Sequence, residues 1–351
     1  MKRKPILGIT MGDPGGIGPE VVVKSITKPE VKRICVPLVF GSIGVFHQAI
    51  KKYARGYRLN RVYSVDELVG ARCNVPLLKK EEKVINILHC TDLDYRKVKI
   101  GKINKTSGSM AATCLVYAVQ FALAQEIDGI VTAPLSKKGL RLAGYDFPGQ
   151  TEMIAFLTAS TKFGMIFVRD DLKIILVTTH LPLSMVSKKI NSKTVFEKIE
   201  LADKVLRFLF RIRKPRIGVC ALNPHSGEEG LFGKEEKKTI LPAIRKAQRK
   251  RINAFGPFAA DSLFNPKRSS EFDCIVAMYH DQGLIPMKIK GLGSSVNLTA
   301  GVPLIRTSPD FGTALDIAGK GEADPEGMIK AIKLAAKLTE SSDNLDQVWS
   351  N

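Results

Sequence analysis

Three of the five histidines in the chain stand in the same local context. His180 closes the segment IILVTTH, His225 closes IGVCALNPH and His280 closes DCIVAMYH, so each follows an apolar, β-branched run within a few positions. Imidazoles released from the strand ends of one sheet can converge on a divalent ion and leave coordination positions open for water or substrate, as a catalytic metal centre requires. Taken singly, each reads equally well as a polar residue at a strand end, and the separations of 45 and 55 residues fit no compact metal motif. Cations and amides come next: Lys288 stands eight residues after His280, and Asn297, Arg306 and Thr307 fall on strand-like segments beyond it. Arginine offers phosphate or carboxylate a planar fork, and lysine offers a point charge.

Two glycine-rich segments could receive a ligand. GDPGGIGPE at 12–20 lies between a predicted strand and a predicted helix, where backbone N–H groups approach anions, but it lacks the G-x-G-x-x-G order and reads equally as a positioning turn. GTALDIAGKGEADP at 312–325 is denser in small residues. Gly312, Thr313 and Ala314 would let a nucleotide lie against the backbone, and Asp316 or Asp324 could accept hydrogen bonds from ribose or adenine. The plain alternative is a helix cap and turn.

The elements that must position these residues alternate in type. Ile6–Thr10, Val36–Phe40, Gly129–Thr132, Ile174–Thr178, Ile217–Cys220 and Cys274–Ala277 read as buried strands, and Pro19–Ile26, Ser192–Phe210 and Glu235–Lys250 as helices. Such alternation predicts α/β layers with a mostly parallel sheet, whose ligands gather at the carboxyl ends of the strands. A length of 351 residues predicts two lobes.

Composition excludes several classes. With 44% hydrophobic and 25% charged residues the chain is neither disordered nor fibrous. Its six cysteines include no CxxC pair, which argues against a disulfide framework or thiolate zinc module and for a reducing cytoplasm. The opening apolar run, Ile6 to Met11, is too short for a cleavable signal, and the dense apolar stretch Met110 to Ala124 is shorter than a membrane span, so it predicts a buried helix. The 54 basic and 34 acidic residues give a net charge of +20, but bases sit beside acids, as in KKEEK at 79–83 and GKEEKKTILPAIRKAQRKR at 233–251. That pattern is a solvated face, with no nucleic-acid motif beside it. A basic field also speeds capture of phosphorylated anions.

GITMGDPGGIGPE, TAPLSKKGL, FPGQTEM, TTHLPL, LNPHSGEEGLFGKEE, AMYHDQGLIPMKIKG and VNLTAGVPLIRTSPDFGTALDIAGKG occur in that order over nearly the whole chain. Together they resemble the 4-hydroxythreonine-4-phosphate dehydrogenase family, which is related in fold to isocitrate and isopropylmalate dehydrogenases. The resemblance implies two α/β lobes around a central cleft, with expected limits of 1–135 plus 286–351 for one lobe and 136–285 for the other. It implies NAD as cofactor, with NADP as the other nucleotide it admits, and a divalent ion (Zn, Mg, Co or Mn) held by His180, His225 and His280. It further implies a phosphorylated substrate contacted by Gln150, Thr151, Lys288, Asn297 and Arg306, and a homodimer with the active site at the interface, His280 coming from the opposite subunit. Asp281 and Lys137 adjoin the family's motifs and are the candidates for proton transfer.

Two departures stand out. Gln150 replaces a histidine usual in the family, so this substrate-contacting position has lost the ability to carry positive charge. Phe311 replaces a histidine at the predicted cofactor segment, where a phenyl ring can stack but cannot hydrogen-bond. These leave open a sister enzyme acting on a phosphorylated threonate or erythronate, a metallohydrolase that uses three histidines to activate water, and a binding protein without turnover.

Overall fold

The computed structural model describes residues 3–68, 83–289, 291, 293 and 295–341; Cys73 and most of KKEEK lie outside them. The chain forms two compact units, one made by residues through Ser160 together with those from Val302 onward, the other by Thr161–Gly301.

The first unit is built on six strands: β1 (Ile6–Thr10), β2 (Val36–Gly41), β3 (Arg58–Val62), β4 (Val84–His89), β5 (Gly129–Thr132) and β12 (Arg306–Pro309). They lie in the order β3-β4-β2-β1-β5-β12, and every pairing is parallel. Parallel strands covered on both faces read as continuous apolar runs, and all of ILGIT in β1 is buried. The edge strand β3, RLNRV, is mostly exposed and carries charges that discourage further pairing. The helix Lys105–Leu123 packs on β1, β2 and β5, with its Met110, Cys114, Leu115 and Val119 buried. Its length and apolarity alone would suit a membrane span, but the apolar side chains face the sheet.

The second unit contains β6 (Gly164–Arg169), β7 (Leu172–Leu176), β8 (Arg216–Cys220), β9 (Asn253–Phe258), β10 (Cys274–Ala277) and β11 (Val296–Ala300). In the order β11-β6-β7-β10-β8-β9, the first three pair antiparallel and β7 through β9 pair parallel. Phe167, Ile174, Leu176, Leu263, Phe272, Ile275, Leu284 and Met287 form its core.

The α/β class and mostly parallel pairing match the sequence reading. The unit limits fall at 160/161 and 301/302, not at 135/136 and 285/286. Residues 136–160 join the first unit because the helices Lys137–Leu142 and Gln150–Leu157 pack on the helix Lys105–Leu123, whereas 286–301 join the second because β11 pairs with β6. The expected helix Glu235–Lys250 is interrupted: a π-turn spans Glu236–Ile240 before a regular helix, Leu241–Arg249. Pro242 explains the break, since its ring crowds the carbonyl one turn back and it has no N–H to donate.

Candidate active site

The strands that precede the three histidines are neighbours. β7, β10 and β8 lie side by side and parallel, so His180, His280 and His225 all leave the same carboxyl edge of the second unit. The rings of His180 and His280 lie 6.1 Å apart between centroids, a separation one ion can bridge at roughly 2.1 Å from each nitrogen. The Nδ1 of His280 is 2.7 Å from a carboxylate oxygen of Asp281, which leaves Nε2 as the outward ligand atom. Asp281 is therefore placed to orient an imidazole. His225 stands apart from this pair: its ring stacks obliquely against Phe232, 6.3 Å between centroids. Among the described residues of one chain, no three His, Cys, Asp or Glu side chains form a metal-holding group.

Polar staples hold these strand ends in place. The Thr178 hydroxyl donates to the Met278 carbonyl at 2.7 Å, tying the end of β7 to that of β10. Gln282 accepts the Met278 N–H at 2.7 Å and donates to the Ala221 carbonyl at 2.8 Å, tying β10 to β8. Arg169 donates to the carbonyls of Pro286 and Met287, anchoring the C-terminal turn of the helix His280–Lys288, which begins with His280 and ends with Lys288.

The segment carrying His225 is unusual. His225, Ser226, Gly227, Glu228 and Glu229 all have φ between 39° and 79°, a left-handed run that costs L-residues roughly 1–2 kcal/mol each. The buried carboxylate of Glu236 compensates in part. It accepts the N–H groups of Leu222 and Asn223 at 2.9 and 2.8 Å and the Asn223 amide at 3.0 Å, while Glu235 takes that same amide at 2.9 Å. The π-turn at Glu236 is part of this arrangement, as two successive glutamates reach one asparagine.

The first unit contributes a different chemistry. Arg306 opens β12 with only 2% of its surface exposed. Its Nε and Nη2 donate to the Thr132 hydroxyl at 3.1 and 2.7 Å, and its Nη1 donates to Thr151 at 3.4 Å. Burial pulls its pKa down to about 10, against the opposing charge of Glu152, so it stays cationic at neutral pH. Thr151 and Gln150 begin the helix Gln150–Leu157, and the Gln150 amide donates to the Ala133 carbonyl at 3.1 Å. Lys137 starts the helix Lys137–Leu142 and packs near Gly149. Buried polar atoms in folded proteins are almost always paired, yet Gln150 Oε1 here, and Asn297 Oδ1 on β11 of the other unit, are buried with no partner among the described residues. Both belong to residues expected to touch substrate.

The 312–325 segment folds against the 12–20 turn. The Ile17 N–H donates to the Thr313 carbonyl at 3.0 Å, and a Cβ on Gly16 would lie 2.6 Å from that same oxygen, so only glycine permits the crossing. Lys24 donates to the Gly321 and Ala323 carbonyls at 2.8 and 2.9 Å, and Glu20 accepts the Ala323 N–H at 2.9 Å. At Gly312 no described atom lies within 4 Å of the place a Cβ would occupy, which suits close approach of a ligand to the backbone. Asp316 is exposed, whereas Asp324 accepts the Glu326 N–H at 2.9 Å and so acts as a helix cap as well.

Comparison with known proteins identifies the lineage. Residues 33–335 match the family described as pyridoxal phosphate biosynthetic protein PdxA. The chain belongs to the PdxA family. It is 40% identical over 335 residues to a 4-hydroxythreonine-4-phosphate dehydrogenase of Desulforapulum autotrophicum, covering 95% of each chain. It is equally 40% identical over 340 residues to a D-threonate 4-phosphate dehydrogenase of Cupriavidus necator, covering 95% of this chain and 97% of that one. The solved 4-hydroxythreonine-4-phosphate dehydrogenase of Klebsiella pneumoniae superposes with a TM-score of 0.85 at 34% identity, over 96% of this chain and 99% of that one. PdxA relatives named for two substrates thus stand at the same distance.

Several residues that shape the PdxA site escape a reading by motif. Gln282, Arg169 and Glu236 act through backbone groups far away in sequence. Asp13 is buried beside Gly15, Ser107 and Ser136; burial raises its pKa, while the hydrogen bonds from these three residues pull the other way. Its place inside GDPGG was the available signal. Two of the described cysteines are poor nucleophiles: burial pushes the Cys35 and Cys274 thiols up to about 12, far from a thiolate at neutral pH.

Proposed function

We propose that this PdxA chain is a metal- and NAD-dependent dehydrogenase that oxidises 4-phosphooxy-L-threonine and releases carbon dioxide, giving 3-amino-2-oxopropyl phosphate for pyridoxal 5'-phosphate synthesis. The observation that carries the reading is the release of three histidines from three adjacent parallel strand ends, in a chain of this family.

When bound, a divalent ion supplies Lewis-acid polarisation of the substrate's secondary hydroxyl and NAD supplies the hydride acceptor. The chain's own residues do the rest. His180, His225 and His280 hold the ion, and Asp281 fixes the tautomer and direction of His280. Lys288 and Arg306 bind the substrate's phosphate and carboxylate, with Thr151, Asn297 and Gln150 contacting its polar groups, which orients the carbon that loses hydride. Gly312, Thr313 and Ala314, with Asp316 and Asp324, form the nucleotide segment, for which Gly312 leaves room. Lys137 is assigned proton transfer. Oxidation at C3 places a ketone β to the carboxylate, and loss of carbon dioxide follows from that arrangement.

A second copy of the chain completes the site in this proposal. His280 of one chain would serve the site of the other, as the resemblance implies, and exposed apolar side chains stand on the segments that carry His180 and His225: Leu183 is 71% exposed and Leu231 75%. Apolar surface beside two of the three ligands is what a subunit interface would cover. Five buried, free thiols support a reducing cytoplasm as the setting.

D-threonate 4-phosphate is the second reading, favoured by the Gln150 replacement and by the equal identity to a dehydrogenase of that name. NADH formation by the purified protein with added divalent metal, offered 4-phosphooxy-L-threonine, D-threonate 4-phosphate and D-erythronate 4-phosphate in parallel, decides among them. Preference for the amino acid supports the first reading. Turnover of a sugar acid alone replaces it, and silence on all three removes both.

A further inference from the structure

We infer that Gln150 selects for a hydrogen-bond donor on the substrate's carbon chain, a hydroxyl or an ammonium, and takes no part in holding phosphate. The inference rests on the proposed function for the identity of the ligand, but its polarity comes from Gln150 itself. The side-chain atom 3.1 Å from the Ala133 oxygen must be the amide nitrogen, because a carbonyl only accepts. That bond fixes the rotation of the amide group and leaves Oε1 as the atom offered elsewhere. Oε1 is buried and has no partner among the described residues, so it is an acceptor awaiting a donor.

The phosphoryl group of a phosphomonoester dianion has only acceptor oxygens to present, and would meet Oε1 as lone pair against lone pair. A hydroxyl or ammonium meets it with a proton. The neighbouring cation has the opposite preference: Arg306, donating to Thr132 just before Ala133 and to Thr151 just after Gln150, has only donors to present and favours anionic oxygens. The two side chains therefore divide the work, Arg306 taking charge and Gln150 taking a proton donor. A histidine at this position would combine both roles, donating when protonated and accepting when neutral, and its preference would change with pH near 6.5. Glutamine makes the preference permanent.

The test is calorimetric titration of the full-length protein with divalent metal present, using D-threonate 4-phosphate, 4-phosphooxy-L-threonine and, as a phosphomonoester without a donor on its carbon, methyl phosphate at pH 8 as ligands. Gln150→Met keeps the length of the side chain and removes the acceptor. It should weaken binding of the physiological substrate among the first two by about tenfold, the equivalent of one neutral hydrogen bond, and leave methyl phosphate unchanged. Gln150→His should make the ratio of variant to wild-type substrate affinity fall as pH drops from 8 to about 6, as the ring protonates and loses its acceptor. Equal weakening of substrate and methyl phosphate by Gln150→Met, or a pH-independent ratio for Gln150→His, overturns the assignment of Gln150 alone. Failure of the wild-type protein to bind either organic phosphate overturns the functional reading as well.

Discussion

The two units prepare for chemistry in opposite ways. In the first, Arg306, the cation proposed to bind the substrate's anionic groups, is buried at the start of a strand, between two threonine hydroxyls, among strands of this unit whose pairings are all parallel. In the second, the imidazoles stand on loops beyond the strand ends, His180 and His225 exposed, with apolar side chains uncovered beside them. One half is finished within the core; the other, in the proposed reading, would be completed by an ion and a second subunit. Charge recognition tolerates burial because arginine stays ionised even when desolvated, whereas metal ligands must remain reachable by ion and substrate.

This contrast can be broken at its strongest point first. His280→Ala should abolish turnover and metal retention together while leaving the stability of the metal-free protein nearly unchanged, because the side chain is only partly buried. Metal content by atomic absorption and NADH formation are the measurements, and full activity in a metal-depleted variant would sink the metal assignment. Arg306→Lys retains the charge but loses the fork, so kcat/KM should drop about a hundredfold and thermal stability should fall as well. An unchanged melting temperature would show that the arginine is not structurally built in.

A smaller effect sharpens the comparison. Glu236→Gln should lower stability by about 1–3 kcal/mol, since an amide cannot accept from all of the N–H groups now gathered on the carboxylate. Metal affinity should weaken with it, and binding of inorganic phosphate should not change, because the staple serves His225 alone. The smallest change is Glu229→Gly, where φ is 54°: removing the Cβ should raise stability by about 1 kcal/mol in chemical denaturation, with the Lys237 contact to the Glu229 carbonyl preserved. Loss of stability there would mean that the glutamate side chain holds the turn.

Much of this architecture is legible in the amino-acid order, and the exceptions have physical causes. Strands such as Ile6–Thr10 and Cys274–Ala277 declare themselves because both faces are buried, so every position must be apolar. The β6–β7 hairpin and β11 are less visible, since antiparallel and partly exposed strands mix polar residues such as Lys173 and Asn297 with apolar ones. The shared edge of the three histidines follows from their strand contexts. The left-handed run does not, because four of its five residues are not glycine and it is held by contacts that no local pattern shows, from Ser226 to the Pro257 carbonyl, from Lys237 to the Glu229 carbonyl, and from Glu236 to the residues just before it. Gln150 was marked as a departure in type, but which atom of its amide faces the site depends on the Ala133 carbonyl.

The order in which the units are written into the chain matters for synthesis. Thr161–Gly301 is contiguous, so on a ribosome the unit with the histidines, its hairpin and all its strands has emerged before β12 exists. The other unit begins first and finishes last: β1 waits for Arg306–Pro309 to complete its sheet and for Thr313 to close over Gly16. Through much of translation the nascent chain therefore holds a parallel sheet with β5 still an open edge, the kind of surface that chaperones shield. Codon changes or truncations that delay the last fifty residues should be felt as aggregation of the first unit, long before any catalytic group is missing.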